Sequence, residues 1–287
     1  MRKVVALGAF KGAPGVTTLA MALASAWPAE GSEGGVRPVV VEADMAGGDL
    51  AARFGLSDME GLLALAAGGH RDGQDDELGG CVQEVAGGLR VVVAPTGGDQ
   101  ALASVGEVVA RPSVLRGGGD SEGMVLLDLG RLGARPSREL ARGADRLVLV
   151  SRGSVEALAH VAARGEWLDG ASYELVVVGV CRFSEAEIAA ALEMSPERVR
   201  KVPWDVRAAA ALGGAGQVGR RRWVRSPLTQ AASALAHHLD GGGGRGGQGG
   251  ARGLGSELAQ LRARALPGAV RARLGAPRAL SSGGGAQ

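Results

Sequence analysis

Short apolar runs recur along the first 240 positions, and each is separated from the next by a stretch with helical spacing. The runs are Val4–Ala9, Pro38–Glu42, Leu89–Ala94, Val125–Asp128, Leu147–Val150, Leu175–Val180 and Val199–Val202. They are rich in Val and Leu and do not alternate with polar residues, which is the pattern of parallel strands buried on both faces. The intervening spacing predicts helices near 15–26, 49–55, 100–110, 136–142, 153–167, 184–193 and 226–239. The helix over 184–193 opens with Ser184 and, three residues on, Glu187, a capping-box pattern. Strands alternating with helices predict βαβ units around a mostly parallel central sheet, an α/β architecture with helices on both faces. After Asp240 the pattern stops. Residues 241–250 are almost all glycine, a flexible linker by composition, and residues 251–287 form an Arg- and Leu-containing tail. The expected division is therefore a domain over 1–240, a linker over 241–250 and a tail over 251–287.

Composition changes this picture little. Aromatic residues make up 3% of the 287, so Ala, Val and Leu must fill the core. The 50 glycines and the near-exclusive use of Arg over Lys fit a compositional bias of the source genome better than a function. A net charge of +2 does not mark the whole chain as a nucleic-acid binder. Cys81 and Cys181 lie far apart with no C-x-x-C partner, so reduced thiols are expected. His70, His160, His237 and His238 show no metal spacing with Cys or acidic residues, and no Ser/His/Asp triad is evident. The Val4–Phe10 run enters a glycine loop directly, unlike a signal peptide, and no apolar run reaches the roughly 18 residues of a membrane span. A cytoplasmic protein is expected.

Chemistry is concentrated at the ends of the predicted strands. The first runs into Lys11, Gly12, Ala13, Pro14, Gly15, Val16, Thr17 and Thr18, a phosphate-binding loop whose usual lysine is replaced by Val16. In the standard loop G-x-x-x-x-G-K-[S/T], backbone N–H groups surround phosphates, the lysine reaches β/γ oxygens and the hydroxyl holds Mg2+. Gly12 and Gly15 allow close backbone approach, the helix from Val16 directs its N-terminus at an anion, and Thr17 is the natural Mg2+ hydroxyl. A glycine-rich β–α turn that binds nothing would share part of this composition, so the other strand ends decide. The second strand ends in Glu42, Ala43 and Asp44, which places two carboxylates on one side by the two-residue period. Asp49 suits a helix cap. The strand ending at Asp128, then Leu129, Gly130 and Arg131, has Walker B form, with Asp128 toward Mg2+ and the Gly130 N–H toward a γ-phosphate.

These segments, in this order, resemble the MinD/ParA family of P-loop ATPases, whose loop reads K-G-G-x-G-K-[S/T]-T. Lys11 matches the family's signature lysine; Gly12, Gly15, Thr17 and Thr18 match, while Ala13 and Val16 depart. Glu42 and Asp44 match the family's D-x-D, Asp128 its Walker B aspartate, and Pro203, Trp204 and Asp205 its adenine-side P-x-D loop. The resemblance covers about residues 1–240 and implies a three-layer P-loop NTPase fold binding ATP or ADP with Mg2+, held by Thr17, Glu42 and Asp128. It implies that Lys11 acts across a nucleotide-sandwiched homodimer and that Asp44 serves the catalytic water. The G-x-P-G-V-T-T form resembles divergent CpaE/TadZ-like members, which position pilus or secretion machinery.

Val16 bears on the activity. Exchanging a phosphate-binding ammonium for an isopropyl group removes a charge-assisted contact worth on the order of 1.5–3 kcal/mol. The expectation is a dimerising positional switch for pilus, secretion, septum or chromosome machinery that binds nucleotide weakly and hydrolyses it slowly. A non-hydrolysing scaffold is the alternative. The cluster Arg220, Arg221, Arg222 and Arg225 with Trp223 would suit a DNA-associated partition factor, but its footprint is small and DNA is not the expected partner. In the tail, Leu258, Leu261, Ala265 and Leu266 fall near one helical face and Pro267 stops it, a thin version of a membrane-surface helix. Contact with the inner face of the cell membrane would follow from such a helix, although a disordered tail or a partner-binding segment fits the composition better.

Overall fold

The two faces of the central sheet are written into its strands by the two-residue period. In β5 (Met124–Arg131), Val125, Leu127 and Leu129 join one core, while Met124 and Leu126 join the other. The computed structural model describes residues 1–12, 14–28, 37–68, 76–118, 121–133, 135–164, 173–216 and 223–241. Ala13, His70, Arg220, Arg221, Arg222, the linker from 242 onward and the tail over 251–287 lie outside them.

Eight strands form one sheet: β1 (Lys3–Ala9), β2 (Val39–Glu42), β3 (Gln83–Val85), β4 (Leu89–Val92), β5, β6 (Arg146–Arg152), β7 (Tyr173–Val178) and β8 (Val199–Val202). Their order is β3-β4-β2-β5-β1-β6-β7-β8, and every pair is parallel except β3–β4. On one face lie α1 (Val16–Ala26), α2 (Leu50–Phe54), α10 (Val206–Leu212) and a last helix, Pro227–Asp240, here α11. The other face carries α3 (Leu62–Ala66), α4 (Glu77–Gly80), α5 (Gly98–Ala110), α6 (Ser113–Arg116), α7 (Arg135–Gly143), α8 (Val155–Ala163) and α9 (Glu185–Ala191). The three-layer α/β fold expected from the sequence is the fold observed.

The seven expected strands and seven expected helices are all present, with ends moved by a few residues. The sixth apolar run, Leu175–Val180, stops at Val178 because Gly179 takes a left-handed φ of 87°, and Val180 beyond it is almost wholly exposed. The capping box at Ser184 and Glu187 is formed in both directions. Helix α8 is described to Ala163, so the expected extension to 167 falls partly outside the described residues.

Chain order locates the crevice. From β1 the chain crosses to β2 on one side, whereas from β5 it crosses to β6 on the other. The carboxyl ends of β1 and β5 are therefore the switch point at which open α/β sheets bind ligands. The loop after β1 and the aspartate of β5 both lie at that edge. No helix among the described residues is long and apolar enough to cross a membrane.

Candidate functional site

Gly15 caps α1 in the left-handed region, with φ 96° and ψ 41°, a conformation that glycine adopts without steric cost. No side chain caps the helix and its first turn holds no acidic residue. Its leading N–H groups therefore keep the positive end of the helix available to an anion. Gly12 is also left-handed, at φ 70°, and is exposed together with Lys11. Val16 turns inward: it is 6% exposed and belongs to the core beneath α1.

Asp128 lies on the α1 side of β5, two residues past Leu126, and is fully buried at 0% exposure. Its Oδ1 accepts from the Gly130 N–H at 2.9 Å, and the Thr17 hydroxyl also hydrogen-bonds the carboxylate. Oδ2 has no hydrogen-bond partner. Burial pushes the Asp128 carboxyl up to about 6, against the pull of Thr17 and Gly130. A buried carboxylate oxygen without a partner, beside a threonine hydroxyl and an open helix N-terminus, is a donor set that fits Mg2+. No cluster of three His, Cys, Asp or Glu side chains able to hold a metal occurs among the described residues. Mg2+ in phosphate sites commonly takes one or two protein ligands and completes its shell with phosphate and water.

Glu42 pairs with Asp128 across β2 and β5, on the same side of the sheet. Its carboxylate serves the backbone. Oε1 accepts from the N–H groups of Asp49 at 2.8 Å and Leu50 at 3.2 Å, and Oε2 accepts from Ala94 at 3.0 Å. Glu42, expected from its motif among the metal ligands, caps α2 and ties the end of β2 to the segment after β4. Asp49, expected as a helix cap, occupies the N-cap position but makes no capping bond and pairs with Arg53 at 2.7 Å. Burial raises Glu42 to about 7, and the nearby charge of Asp128 adds to the effect despite the three N–H donors. Gly48 is required here, because a Cβ at that position would collide with the Glu42 carboxylate.

Asp44 is half-buried over Gly130. A Cβ on Gly130 would strike the Asp44 carboxylate, and Gly130 is left-handed at φ 54°. Asp44 Oδ1 accepts from the Ala46 N–H at 2.9 Å. Burial raises the Asp44 carboxyl, opposed by that bond and by the charge and N–H of Arg131.

On the other side of the loop, Pro14, Gly15 and Thr18 share a small crevice of about 60 Å³ with Val178, Pro203, Trp204 and Asp205. The expected adenine-side loop thus meets the phosphate loop directly. Asp205 caps α10, Oδ1 accepting from Ala208 at 3.0 Å, while Oδ2 accepts from the Ser226 hydroxyl at 2.8 Å. Ser226 in turn caps α11 through Thr229. The Ala208 bond above all holds the Asp205 carboxyl below its usual range. Trp204 is 54% exposed and carries the guanidinium of Arg152 at 4.0 Å from its ring centroid. Arg152 and Ser226 had no signal in the sequence, since neither belongs to a spaced motif and both arrive from distant elements.

A three-layer α/β architecture with a glycine-rich loop at the switch point of its sheet defines the class: the fold is that of the ParA/MinD P-loop ATPases. Among solved structures, the chain superposes on a ParA family ATPase from Chlorobium tepidum TLS with a TM-score of 0.66 at 16% identity, covering 83% of this chain and 100% of that one. It superposes on the septum site-determining protein MinD complexed with Mg-ADP from Pyrococcus horikoshii OT3 with a TM-score of 0.58 at 16% identity, covering 84% and 96%. A third is the MinC:MinD cell division complex of Aquifex aeolicus, with a TM-score of 0.62 at 15% identity, covering 86% and 100%. At such identities the likeness is one of fold. No protein-family profile and no curated protein sequence matches the chain.

Proposed function

We propose that this chain is a nucleotide-binding protein of the ParA/MinD kind, a dimerising positional switch that hydrolyses ATP slowly. The observation that carries the reading is the unpartnered Asp128 Oδ2, buried next to Thr17 at the open N-terminus of α1. Thr17 and Asp128 are the pair that would hold Mg2+, which supplies charge neutralisation at the phosphates when bound. The N–H groups from Gly15 to Thr18 bind the phosphates, and Gly12 lets the loop approach them closely. The Gly130 N–H, expected to face a terminal phosphate, donates to Asp128 Oδ1 and holds that carboxylate in place. Asp44, oriented by Ala46 and Arg131, positions the attacking water. Pro203, Trp204 and the scaffold made by Asp205 receive the base. Lys11, exposed at the mouth of the loop, reaches a second subunit.

Slow turnover follows from Val16. A buried isopropyl group offers no charge to the phosphoryl group in transfer, and the lost contact weakens binding by about tenfold or more. The role supported by this fold and by the CpaE/TadZ-like loop is the placement of pilus, secretion or division machinery through a protein partner. The solved MinD of Aquifex aeolicus is in complex with MinC, which supports a protein-partner role of this type. The tail over 251–287 is the segment to contact a partner or the inner membrane surface.

Light scattering of the full chain with ATP, with ADP and without nucleotide tests the switch. The expected outcome is an ATP-dependent dimer that is lost in Lys11→Ala, with slow release of phosphate. A mass indifferent to nucleotide contradicts it and favours the second reading, a non-hydrolysing scaffold, for which the inward-turned Val16 and the backbone-bound Glu42 speak. Fast turnover would contradict both.

A further inference from the structure

The loop has lost its own cation, and the cations at the same edge of the sheet divide by what they do. Arg53 is paired with Asp49 at 2.7 Å. Arg152 stacks on Trp204. Arg164 donates to the Phe10 carbonyl at 2.7 Å and covers the Phe10 ring. The charge of Lys11 bears on His160 of α8. Arg131 differs from all of these. It closes β5 in register with Ala9, the last residue of β1, so it stands where the phosphate loop begins. It directly follows Gly130, and its N–H and its charge both act on Asp44. Its side chain is exposed, and among the described residues it has no carboxylate within ion-pair distance.

We propose that Arg131 supplies from strand β5 the positive charge that the loop lacks at Val16, contacting the terminal phosphate oxygens of a bound nucleoside triphosphate. The inference rests on the phosphate-loop reading above. A guanidinium suits the task because its five donors serve an anion while keeping a nearby carboxylate satisfied. Without phosphate its charge bears on Asp44 from beyond ion-pair distance; with phosphate it links the group that positions water to the group being attacked. The charge therefore approaches from the Walker B strand, opposite the N-terminus of α1. Arg131 would then be a binding and catalytic residue for the triphosphate and would have no part in recognising the base.

Calorimetric titration of the full chain with Mg-ATP and with AMP tests this, using Arg131→Ala, Arg131→Lys and the double variant Val16→Lys/Arg131→Ala. Arg131→Ala is expected to weaken ATP about tenfold or more while AMP binding stays within about twofold, the scale of one lost charge-assisted contact. Arg131→Lys should keep most of the ATP affinity. The double variant should recover it, because either position then provides the charge. Unchanged ATP affinity in Arg131→Ala overturns the inference and leaves the phosphate-loop reading intact. Parallel loss of ATP and AMP overturns it in favour of a structural role. A wild-type chain that binds neither nucleotide overturns the inference and the reading together.

Discussion

Glu42 holds three backbone N–H groups from two separated segments on one carboxylate that is 2% exposed. Removing an acceptor from buried donors costs about 1–3 kcal/mol for an unsatisfied group. Glu42→Ala should therefore lower the unfolding free energy by on the order of 2–3 kcal/mol in urea, more than a surface Glu→Ala change. The same residue gives a pH signature. Its carboxyl titrates near 4.5 in the unfolded chain and at about 7 in the folded one, so the folded state binds the additional proton between those values. Stability should then fall as pH rises from about 4.5 to 7. Glu42→Gln should remove that part of the slope, while Asp128, raised to about 6, contributes in the same direction over a lower window. A slope unchanged in Glu42→Gln would contradict the assignment. Gly130 supplies another residue-scale test. Gly130→Ala places a methyl group against the Asp44 carboxylate at a left-handed φ of 54°, costing at least the roughly 1–2 kcal/mol of that conformation. Thermal denaturation should show the loss, and ATP binding should fall with it.

At the level of elements, Asp205 joins three of them: the loop after β8, the start of α10 through Ala208, and the start of α11 through Ser226. Asp205→Ala frees one helix cap and the tie to another, so a loss of about 1–2 kcal/mol in unfolding free energy is expected. Asp205→Asn, which keeps an acceptor for Ala208, should lose less; equal losses would show that the cap is not what matters. How far such elements can be read from sequence depends on their length and surroundings. The buried parallel strands announce themselves as Val and Leu runs because both of their faces are covered. Strand β3 does not, since Gln83 and Glu84 lie at the sheet edge and only Val85 is buried. Helices α3, α4 and α6 span four or five residues each, too short to display a periodic face. Helix α10 is an alanine-rich turn of seven residues whose start is fixed by Asp205, a residue that the motif presents only as part of a ligand loop.

In the whole molecule, the loop after β1, the end of β5 and the loop after β8 lie at the carboxyl edge, and the chain reverses direction around β1 and β5. The placing of Thr17, Asp128 and the loop glycines at one strand edge was legible in the sequence, since it depends on local spacing after a strand. The task of Glu42 was not, because its three donors come from residues 49, 50 and 94, which only the fold gathers. Nor was the inward turn of Val16, which depends on the core packed beneath α1. That residue carries the proposal made above, that the chain recognises nucleotide through its loop and binds it weakly because Val16 stands where the loop's phosphate lysine belongs. Calorimetric titration of Mg-ATP into the wild-type chain and into Val16→Lys measures this most directly. Saturable but weak binding by the wild type is expected, with binding at least about tenfold tighter in Val16→Lys. Tight binding already in the wild type, or no binding by either protein, would contradict it.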